Sequence, residues 1–249
     1  MAKHIVAYVL DGAGSEDVKV WVRNFVGAEL ATAIEDANLI VFTGGADVNP
    51  TIYGETNVAS GVDLVRDATE TDIFDYAISA GIPMLGICRG SQFLHAMKDG
   101  KLWQHIEGHA GVFHDLRDRD DGTIIPNTCS THHQMVRMEW TNGKSAATNG
   151  FELMAEPREP ISPVFVCADG PIYSTAEKPI TEVEGYRYRK DNIIGIQGHP
   201  EWGGDEFSVW AAQKVIDFLA EPRMGIEREG LIVPEVIKQG AARIGAGCC

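Results

Sequence analysis

The sequence predicts an α/β fold in which helices cover a mostly parallel β-sheet. Short apolar segments alternate along the chain with segments of helical periodicity, the order typical of strands joined by helical crossovers. Two apolar segments, Leu39–Phe42 and 83–87, run directly into turns that contain glycine. The length of 249 residues and the apolar fraction of 44% suit one such domain with small additions.

The predicted elements follow one another as short strands and amphipathic helices. In chain order they are strands 5–10 and Leu39–Phe42, a helix over 66–80, strand 83–87, a short helix over 91–98, strands Val164–Cys167, Gly185–Tyr188 and 193–197, and a helix over Asp205–Ala220. The turn at 190–192 indicates a hairpin between the last two strands. The stretch from 105 to 149 is rich in turn residues and gives no clear element.

The chain is expected to divide at the end of its last clear helix. Residues 1–222 would form the main domain, whose last helix is closed by Pro222, and residues 223–249 would form a partly flexible C-terminal extension. That extension is expected to contain one short helix starting near Pro234. Its end, Gly-Ala-Gly-Cys-Cys, is expected to fray.

Charge and cysteine content narrow the class of partner and the compartment. The formal net charge is -15 and no basic run occurs, which makes nucleic acid and anionic membranes poor partners and favours a small zwitterionic or cationic substrate. The apolar run 5–10 is too short for a secretory core, and no segment approaches a transmembrane span. Five scattered cysteines do not resemble a disulfide framework, so the expected location is the cytoplasm.

Cys88 is the candidate nucleophile. It lies between Gly86 and Gly90, after an apolar strand and before a helix. Small residues on both sides permit a tight strand-to-helix turn, and the helix N-terminus favours a thiolate. The N–H of Arg89 can point at a developing oxyanion. The alternative is a buried structural cysteine at the end of a strand.

His199 and Glu201 are the candidate base and its orienting carboxylate. Both follow an apolar strand, and Pro200 biases His199 towards extended backbone, in which residues two apart share a side. A thiolate needs such a base, held in place by a third group. Taken alone, His199 is more simply an ordinary loop histidine.

A third segment, Thr43-Gly44-Gly45, ends the strand Leu39–Phe42. Glycines at the carboxyl end of a strand let backbone N–H groups approach a ligand closely. The N–H of Gly45 is therefore the candidate second oxyanion donor, and an ordinary tight turn is the alternative.

Together these residues resemble the class I glutamine amidotransferase superfamily. That superfamily pairs a G-x-C-x-G-x-Q elbow with a later H-x-E and an upstream Gly-Gly loop. The matching positions here are Gly86, Cys88, Gly90, Gln92, His199, Glu201, Gly44 and Gly45.

Within the superfamily the chain is most similar to the γ-glutamyl-γ-aminobutyrate hydrolase-like branch. Four of that branch's patterns occur in the expected order between residues 42 and 202. They are G-G-x-D-V-x-P-x-x-Y at 44–53, R-D-x-x-E at 66–70, S-x-H-H-Q at 130–134 and A-D-G at 168–170.

The resemblance implies a flavodoxin-like αβα sandwich and hydrolysis of a γ-glutamyl amide through a γ-glutamyl thioester. It gives Cys88, His199 and Glu201 as the catalytic triad, and the N–H groups of Gly45 and Arg89 as the oxyanion hole. It further implies that the glutamyl group is bound by Gln92 and that the pocket is lined by His132, His133 and Gln134.

Several positions depart from the family pattern and leave the substrate open. Asp99 replaces one glycine of a pair, Tyr173 stands where an acidic residue is common, and Gly198 stands where this branch often carries tryptophan. The segment before Leu39 is short, so one early strand is expected to be missing or unusual.

No metal site and no cofactor are expected from the sequence. The spacing of His105, His109 and His114 is irregular, and no paired cysteines accompany these histidines. The terminal Cys248-Cys249 resembles a prenylation end, but no polybasic segment precedes it.

Three functions compete at this point. The first is a free-standing hydrolase of glutamine or a γ-glutamyl amine. The second is a glutaminase subunit that delivers ammonia to a separate synthetase or amidoligase, and a homodimer is a further candidate assembly. The third is a non-catalytic binding member of the family, against which the intact Cys88, His199 and Glu201 argue.

Overall fold

A computed structural model of the chain describes residues 4–141, 144–146 and 150–221. Pro222, the extension 223–249, the helix expected near Pro234 and the Cys248-Cys249 end lie outside the described residues. The division at residue 222 therefore stays a prediction.

The described part contains short strands, four α-helices and three short helical turns of other types. The strands are β1 (Val6–Val9), β2 (Glu29–Leu30), β3 (Leu39–Phe42), β4 (Met84–Ile87), β5 (Lys101–Trp103), β6 (His105–Ile106), β7 (Ala110–Asp118), β8 (Ile124–Thr131), β9 (Met135–Arg137), β10 (Glu139–Thr141), β11 (Lys144–Ala146), β12 (Phe151–Pro157), β13 (Val164–Cys167), β14 (Gly170–Tyr173), β15 (Gly185–Tyr188) and β16 (Ile193–Ile196). The helices are α1 (Ser15–Trp21), α2 (Leu64–Ala80), α3 (Arg89–Ala96) and α4 (Asp205–Ala220). A π-helical turn (Val22–Val26) follows α1, and 3₁₀ turns span Ile34–Asp36 and Pro50–Tyr53.

The described residues form a central sheet of nine strands. Their order is β2-β1-β3-β4-β16-β15-β12-β7-β8. The pairs from β2 to β16 are parallel, and the pairs from β16 to β8 are antiparallel. The predicted α/β class with a mostly parallel central sheet is confirmed, and an antiparallel extension is added at one edge.

Two apolar cores lie on opposite faces of the sheet, because successive strand residues point to opposite sides. In β3, Ile40 and Phe42 join one core, and Leu39 and Val41 join the other. The first core includes Ile73, Phe74, Phe93 and Leu94 of α2 and α3. The second includes Val18, Trp21, Phe207, Ala211 and Val215 of α1 and α4. Helices therefore cover both faces, as in a three-layer αβα sandwich.

Local chemistry explains where the helix beside the site begins and ends. The Asp63 side chain accepts hydrogen bonds from the N–H groups of Val65 and Arg66, both at 3.1 Å, and so caps α2. Gly81 ends the helix in left-handed backbone at φ 60°. The cap starts α2 two residues before the predicted 66–80.

The described structure adds elements that the sequence did not predict. Helix α1 lies before β2, and β2 itself is an edge strand of only two residues, which accounts for the unusual early strand. The stretch from 105 to 149 supplies β7 and β8 of the central sheet, whose pairing shifts register twice. None of the described helices combines the length and apolar character needed to cross a bilayer.

Candidate active site

Cys88 occupies a sharp turn between β4 and α3. Its backbone has a positive φ of 53° with ψ −114°, a combination that residues other than glycine rarely adopt. Its N–H donates to the carbonyl of Ile196 at 2.9 Å, which ties the turn to the neighbouring strand. A non-glycine residue in a rare backbone conformation costs roughly 1–3 kcal/mol and persists only where its surroundings hold it. Such strain clusters at functional sites, so it makes Cys88 a candidate functional position.

The glycines on either side of Cys88 are required by close backbone contacts. A Cβ at Gly86 would lie 2.6 Å from the carbonyl oxygen of Gly90, and a Cβ at Gly90 would overlap the carbonyl of Phe42. Any larger residue would push the strand and helix apart. The elbow motif is therefore a packing requirement that holds Cys88 above the end of the sheet.

His199 joins Cys88 to Glu201. His199 Nδ1 lies 2.8 Å from Glu201 Oε1, and the ring and Cys88 both lie beside the loop residue Gly44. Burial alone lowers the pKa of His199, but the hydrogen bonds to Cys88 and Glu201 outweigh burial and raise the pKa to about 10. These interactions favour the protonated form of the ring beside Cys88.

An aromatic contact holds the His199 ring in place. Trp202 stacks on the imidazole with ring centroids 4.3 Å apart and an interplanar angle of 15°. Its indole N–H donates to Asp17 Oδ2 of α1 at 2.8 Å. A Cβ at Gly14 would lie 2.8 Å from the indole. Because α1 was not predicted, sequence reasoning missed this support.

The Gly-Gly loop after β3 passes directly beside the sulfur and the imidazole. A Cβ at Gly44 would lie 3.3 Å from His199 Cε1 and 3.9 Å from Cys88 Cβ. Gly45 has φ 142°, and a Cβ there would overlap the guanidinium of Arg66. Position 45 therefore requires glycine for two reasons: the positive φ strains other residues, and a Cβ has no room beside Arg66.

Arg66 fixes the two carbonyl groups of this loop. Its Nη1 donates to the carbonyl of Gly44 at 2.7 Å, and its Nη2 donates to the carbonyl of Thr43 at 3.0 Å. Its Nε donates to Glu70 Oε1 at 2.8 Å, one helical turn further along α2. These hydrogen bonds therefore fix the loop 43–45 against α2.

Arg89 completes a buried cluster with the same helix. Its guanidinium forms ion pairs with Asp67 and Glu70, and its Nε donates to the carbonyl of Ala46 at 3.2 Å. Asp67 Oδ2 accepts from the N–H of Asn49 at 3.0 Å. Burial and the nearby Arg66 lower the pKa of Arg89 to about 9, against the opposing effect of Asp67.

We refer to Arg66, Asp67, Glu70 and Arg89 as the arginine–carboxylate quartet. It contains two positive and two negative groups, all buried, and it ties the loop 43–49 to the residue after Cys88. Three of the four members form the R-D-x-x-E pattern of the sequence, but no role could be assigned to that pattern without the contact between α2 and Arg89.

Gln92, one of the predicted pocket residues, lies on α3 one turn after Cys88. Its side-chain Nε2 donates to the carbonyl of Gln134 at 2.8 Å and to Gln197 Oε1 at 3.1 Å. Gln92 therefore connects the segment 130–134 to the end of β16.

The three predicted pocket residues on that segment face different ways. His133 is 41% exposed and its Nε2 lies 3.2 Å from Asp47 Oδ1. His132 is buried, and its ring packs on His109 with centroids 4.8 Å apart. Gln134 is buried and its Nε2 donates to Ser60 Oγ and to the carbonyl of Gln104. Of the three, His133 alone presents its side chain to solvent.

Residues 2–201 of the chain match the Peptidase C26 family. A candidate glutamine amidotransferase-like protein of Lactococcus lactis subsp. lactis, YvdE, is 29% identical over 177 residues, which cover 68% of each chain. A candidate glutamine amidotransferase of Schizosaccharomyces pombe is 43% identical over 165 residues, which cover 65% of this chain but 61% of the relative.

Two solved structures share the fold at low sequence identity. A candidate GMP synthase component of Thermoplasma acidophilum superposes with a TM-score of 0.54 at 14% identity, over 88% of this chain and 96% of that chain. PurLQS of Thermotoga maritima superposes with a TM-score of 0.50 at 16% identity, over 87% of this chain and 100% of that chain. The chain therefore belongs to the Peptidase C26 family and has the class I glutamine amidotransferase fold, which supports an enzyme that hydrolyses amide bonds.

Proposed function

We propose that the protein hydrolyses a γ-glutamyl amide through a thioester on Cys88. The observation that carries this proposal is the strained turn at Cys88, which shares the neighbouring loop residue Gly44 with an imidazole that is held 2.8 Å from Glu201. A nucleophile, a base and an orienting carboxylate in contact are the arrangement that covalent acyl transfer needs.

In the acylation step the Cys88 thiolate attacks the carbon of the γ-amide. A C–S bond forms, and the carbonyl electron pair moves onto oxygen, where the N–H groups of Gly45 and Arg89 stabilise the oxyanion. When the carbonyl re-forms, the C–N bond breaks. The His199 imidazolium gives its proton to the leaving nitrogen, which departs as ammonia or an amine.

Deacylation uses the same groups in reverse. Neutral His199 removes a proton from water as the oxygen attacks the thioester carbon. The C–S bond then breaks, glutamate leaves, and the thiolate–imidazolium pair is restored. Glu201 keeps Nδ1 protonated throughout, so the opposite ring nitrogen faces Cys88.

Substrate recognition is assigned to the segments beside Cys88. Gln92 would bind the glutamyl group and the segment 132–134 would line the pocket, with exposed His133 and its partner Asp47 at the rim. A cytoplasmic location is part of this proposal and agrees with the free thiols of Cys88, Cys129 and Cys167.

The test is release of glutamate from glutamine and from a panel of γ-glutamyl amines. We expect turnover by the wild-type protein and a fall of at least about 10³-fold in Cys88→Ser, because removal of a nucleophile leaves only binding and the oxyanion hole. The matched control is Cys129→Ala, because burial and the charges of Glu201 and Cys88 raise the pKa of that nearby thiol. Equal turnover by Cys88→Ser and the wild type would show the nucleophile to be wrong.

A glutaminase subunit that passes ammonia to a synthetase or amidoligase is the second candidate. The fold likeness to PurLQS and to the GMP synthase component favours it. On this alternative, purified protein turns over glutamine slowly and accelerates when the partner is added. Fast turnover of γ-glutamyl amines by the isolated chain would favour the free-standing hydrolase.

A non-catalytic member of the family is the third candidate. A glutamine-like chloroketone separates it from both enzymes, because the reagent alkylates an activated thiolate in a glutamine pocket. Labelling that maps to Cys88 and is blocked by glutamine supports an enzyme. Absence of labelling in folded protein would support the binding role.

A further inference from the structure

We infer that His109, His132 and Glu184 form a binding site for a divalent transition metal, with zinc as the preferred ion. One ring nitrogen from each histidine and one carboxylate oxygen lie within 4.8 Å of one another, and all three residues are buried. They are the residue before β7, the residue after β8 and the residue before β15. The expectation of no metal rested on spacing in the sequence, which cannot bring together residues 109, 132 and 184.

The other ring nitrogen of each histidine already has a partner. His109 Nε2 lies 2.5 Å from Glu182 Oε2, and His132 Nδ1 lies 2.8 Å from the carbonyl of Gln134. A histidine that ligates a metal usually donates its second N–H to a carboxylate or a backbone carbonyl, which fixes the tautomer and turns the lone pair towards the ion. Both histidines have this arrangement, with Nδ1 of His109 and Nε2 of His132 as the ligand atoms.

Two buried atoms of the cluster have no hydrogen-bond partner among the described residues. They are His132 Nε2 and Glu184 Oε2. A buried polar atom without a partner costs on the order of 1–3 kcal/mol, and more for a charged group. A network built only of hydrogen bonds leaves these two atoms unsatisfied, whereas a bound cation takes both as ligands.

The remaining polar neighbours position the carboxylate. Glu184 Oε1 lies 3.2 Å from His114 Nε2 and 3.3 Å from His109 Nδ1. Ser130 Oγ lies 3.3 Å from the same His109 nitrogen. Glu182 and Glu184 give the cluster two carboxylates, so a divalent ion also balances the charge of this buried region.

The donor set selects the class of metal. Imidazole nitrogen suits zinc, copper, iron and nickel, whereas calcium and magnesium require oxygen ligands. Two histidines with one carboxylate are a known zinc ligand set. Iron also accepts two histidines and a carboxylate, so the experiment compares both ions.

The position of the cluster suggests a structural role beside the active site. The Gln134 carbonyl that accepts from His132 also accepts from Gln92, and the N–H of Gln197 donates to the backbone carbonyl of Glu184 at 2.8 Å. A metal at the cluster would therefore fix the segment 130–134 against the end of β16. No step of the proposed hydrolysis passes through it.

The test is the metal content of the full chain, purified without a polyhistidine tag. Protein is incubated with zinc or ferrous iron, desalted, and analysed by plasma mass spectrometry. We expect one zinc per chain in the wild type, and loss of at least about tenfold in zinc affinity in His109→Ala, His132→Ala and Glu184→Gln, because each removes a ligand or weakens it. Glu184→Gln keeps the shape of the side chain, and circular dichroism establishes that each variant is folded.

Two controls locate the ion. His105→Ala removes a histidine outside the cluster and should retain zinc. Cys88→Ser should also retain zinc, which excludes binding by the thiolate and His199. Cobalt substitution of the wild type gives a second readout that needs no ligand variant, because its visible spectrum reports ligand number. Folded wild-type protein that retains no metal, or zinc that is lost in Cys88→Ser but kept in Glu184→Gln, would overturn the proposal.

Discussion

Two buried charged clusters flank the active site, and they differ in completeness. The arginine–carboxylate quartet balances two guanidinium groups with two carboxylates, and none of its buried polar atoms is without a partner in the described part of the chain. The cluster around Glu184 also contains charged and polar groups, yet it leaves His132 Nε2 and Glu184 Oε2 unsatisfied.

This difference indicates different roles: the quartet positions a loop, whereas the cluster around Glu184 binds a ligand. Planar guanidinium groups form several fixed hydrogen bonds at once, so the members of the quartet satisfy one another and hold the loop 43–49. Imidazole and carboxylate groups that converge without satisfying one another need a further atom at their centre. Four predictions test this distinction, in order of decreasing effect.

Breaking the quartet should cause the largest loss of stability. Glu70 accepts from both Arg66 and Arg89 and is fully buried. Glu70→Gln leaves two guanidinium groups facing one carboxylate, so we expect a loss of about 3–5 kcal/mol in the free energy of unfolding. Urea denaturation measures it. The control is Glu156→Gln, which removes a surface ion pair with Arg119 and should cost less than about 1 kcal/mol. Equal effects of the two changes would contradict the special role of the quartet.

Replacing Arg66 by lysine keeps the positive charge but removes the planar guanidinium, and it should mainly lower kcat. Arg66→Lys retains a cation beside Glu70 but cannot hold the carbonyls of Thr43 and Gly44 together. Since the loop then presents the Gly45 N–H less well, we expect kcat to fall about 10²-fold, equal to about 2.7 kcal/mol, with KM little changed. Steady-state kinetics measures it, with Arg119→Lys as the surface control. A rise in KM at constant kcat would assign Arg66 to substrate binding instead.

Added zinc should stabilise the wild type through the second cluster. At ten times Kd, a ligand that binds only the folded state adds about 1.4 kcal/mol to the free energy of unfolding, which raises the melting temperature by a few degrees. We expect this rise in the wild type and in Glu70→Gln, but not in Glu184→Gln. A zinc-dependent rise of equal size in Glu184→Gln would place the ion elsewhere.

The smallest change in stability is expected at the partly exposed ion pairs of Asp120 with Arg187 and Lys214. Hydrogen bonds from Arg187 at 2.7 Å and Lys214 at 2.8 Å hold the pKa of Asp120 well below its usual range. Because the folded-state pKa is the lower one, this contribution is present above the unfolded pKa of about 3.9 and is lost as pH falls through the folded value. Asp120→Asn should lower the stability by at most about 1 kcal/mol at pH 7 and by less in acid. A larger difference in acid than at pH 7 would reverse the sign of this linkage.

The sequence predicted best what is local in the chain. Strand Leu39–Phe42 and helix Asp205–Ala220 have the predicted bounds, because a buried run and an apolar stripe are complete within each segment. The turn at Cys88 was also local, since the two glycines that it needs are two residues away on either side. Helix α1 was missed because it is short and lies between glycines, with a π-helical turn after it.

Long-range contacts outside the recognised motifs could not be predicted. The contact between the guanidinium of Arg89 and Asp67 joins two helices, and the cluster of His109, His132 and Glu184 draws on three distant segments. Strands β7 and β8 were missed because their register shifts interrupt the alternation by which strands are recognised.

The central claim is that Cys88 carries the γ-glutamyl group during turnover. Protein mixed with a γ-glutamyl substrate and quenched in acid should yield a Cys88 peptide whose mass is increased by one glutamyl group. The adduct should disappear in Cys88→Ser and persist in Cys129→Ala. Release of glutamate without any adduct on Cys88 in the quenched wild type, or an adduct on another residue, would contradict the account.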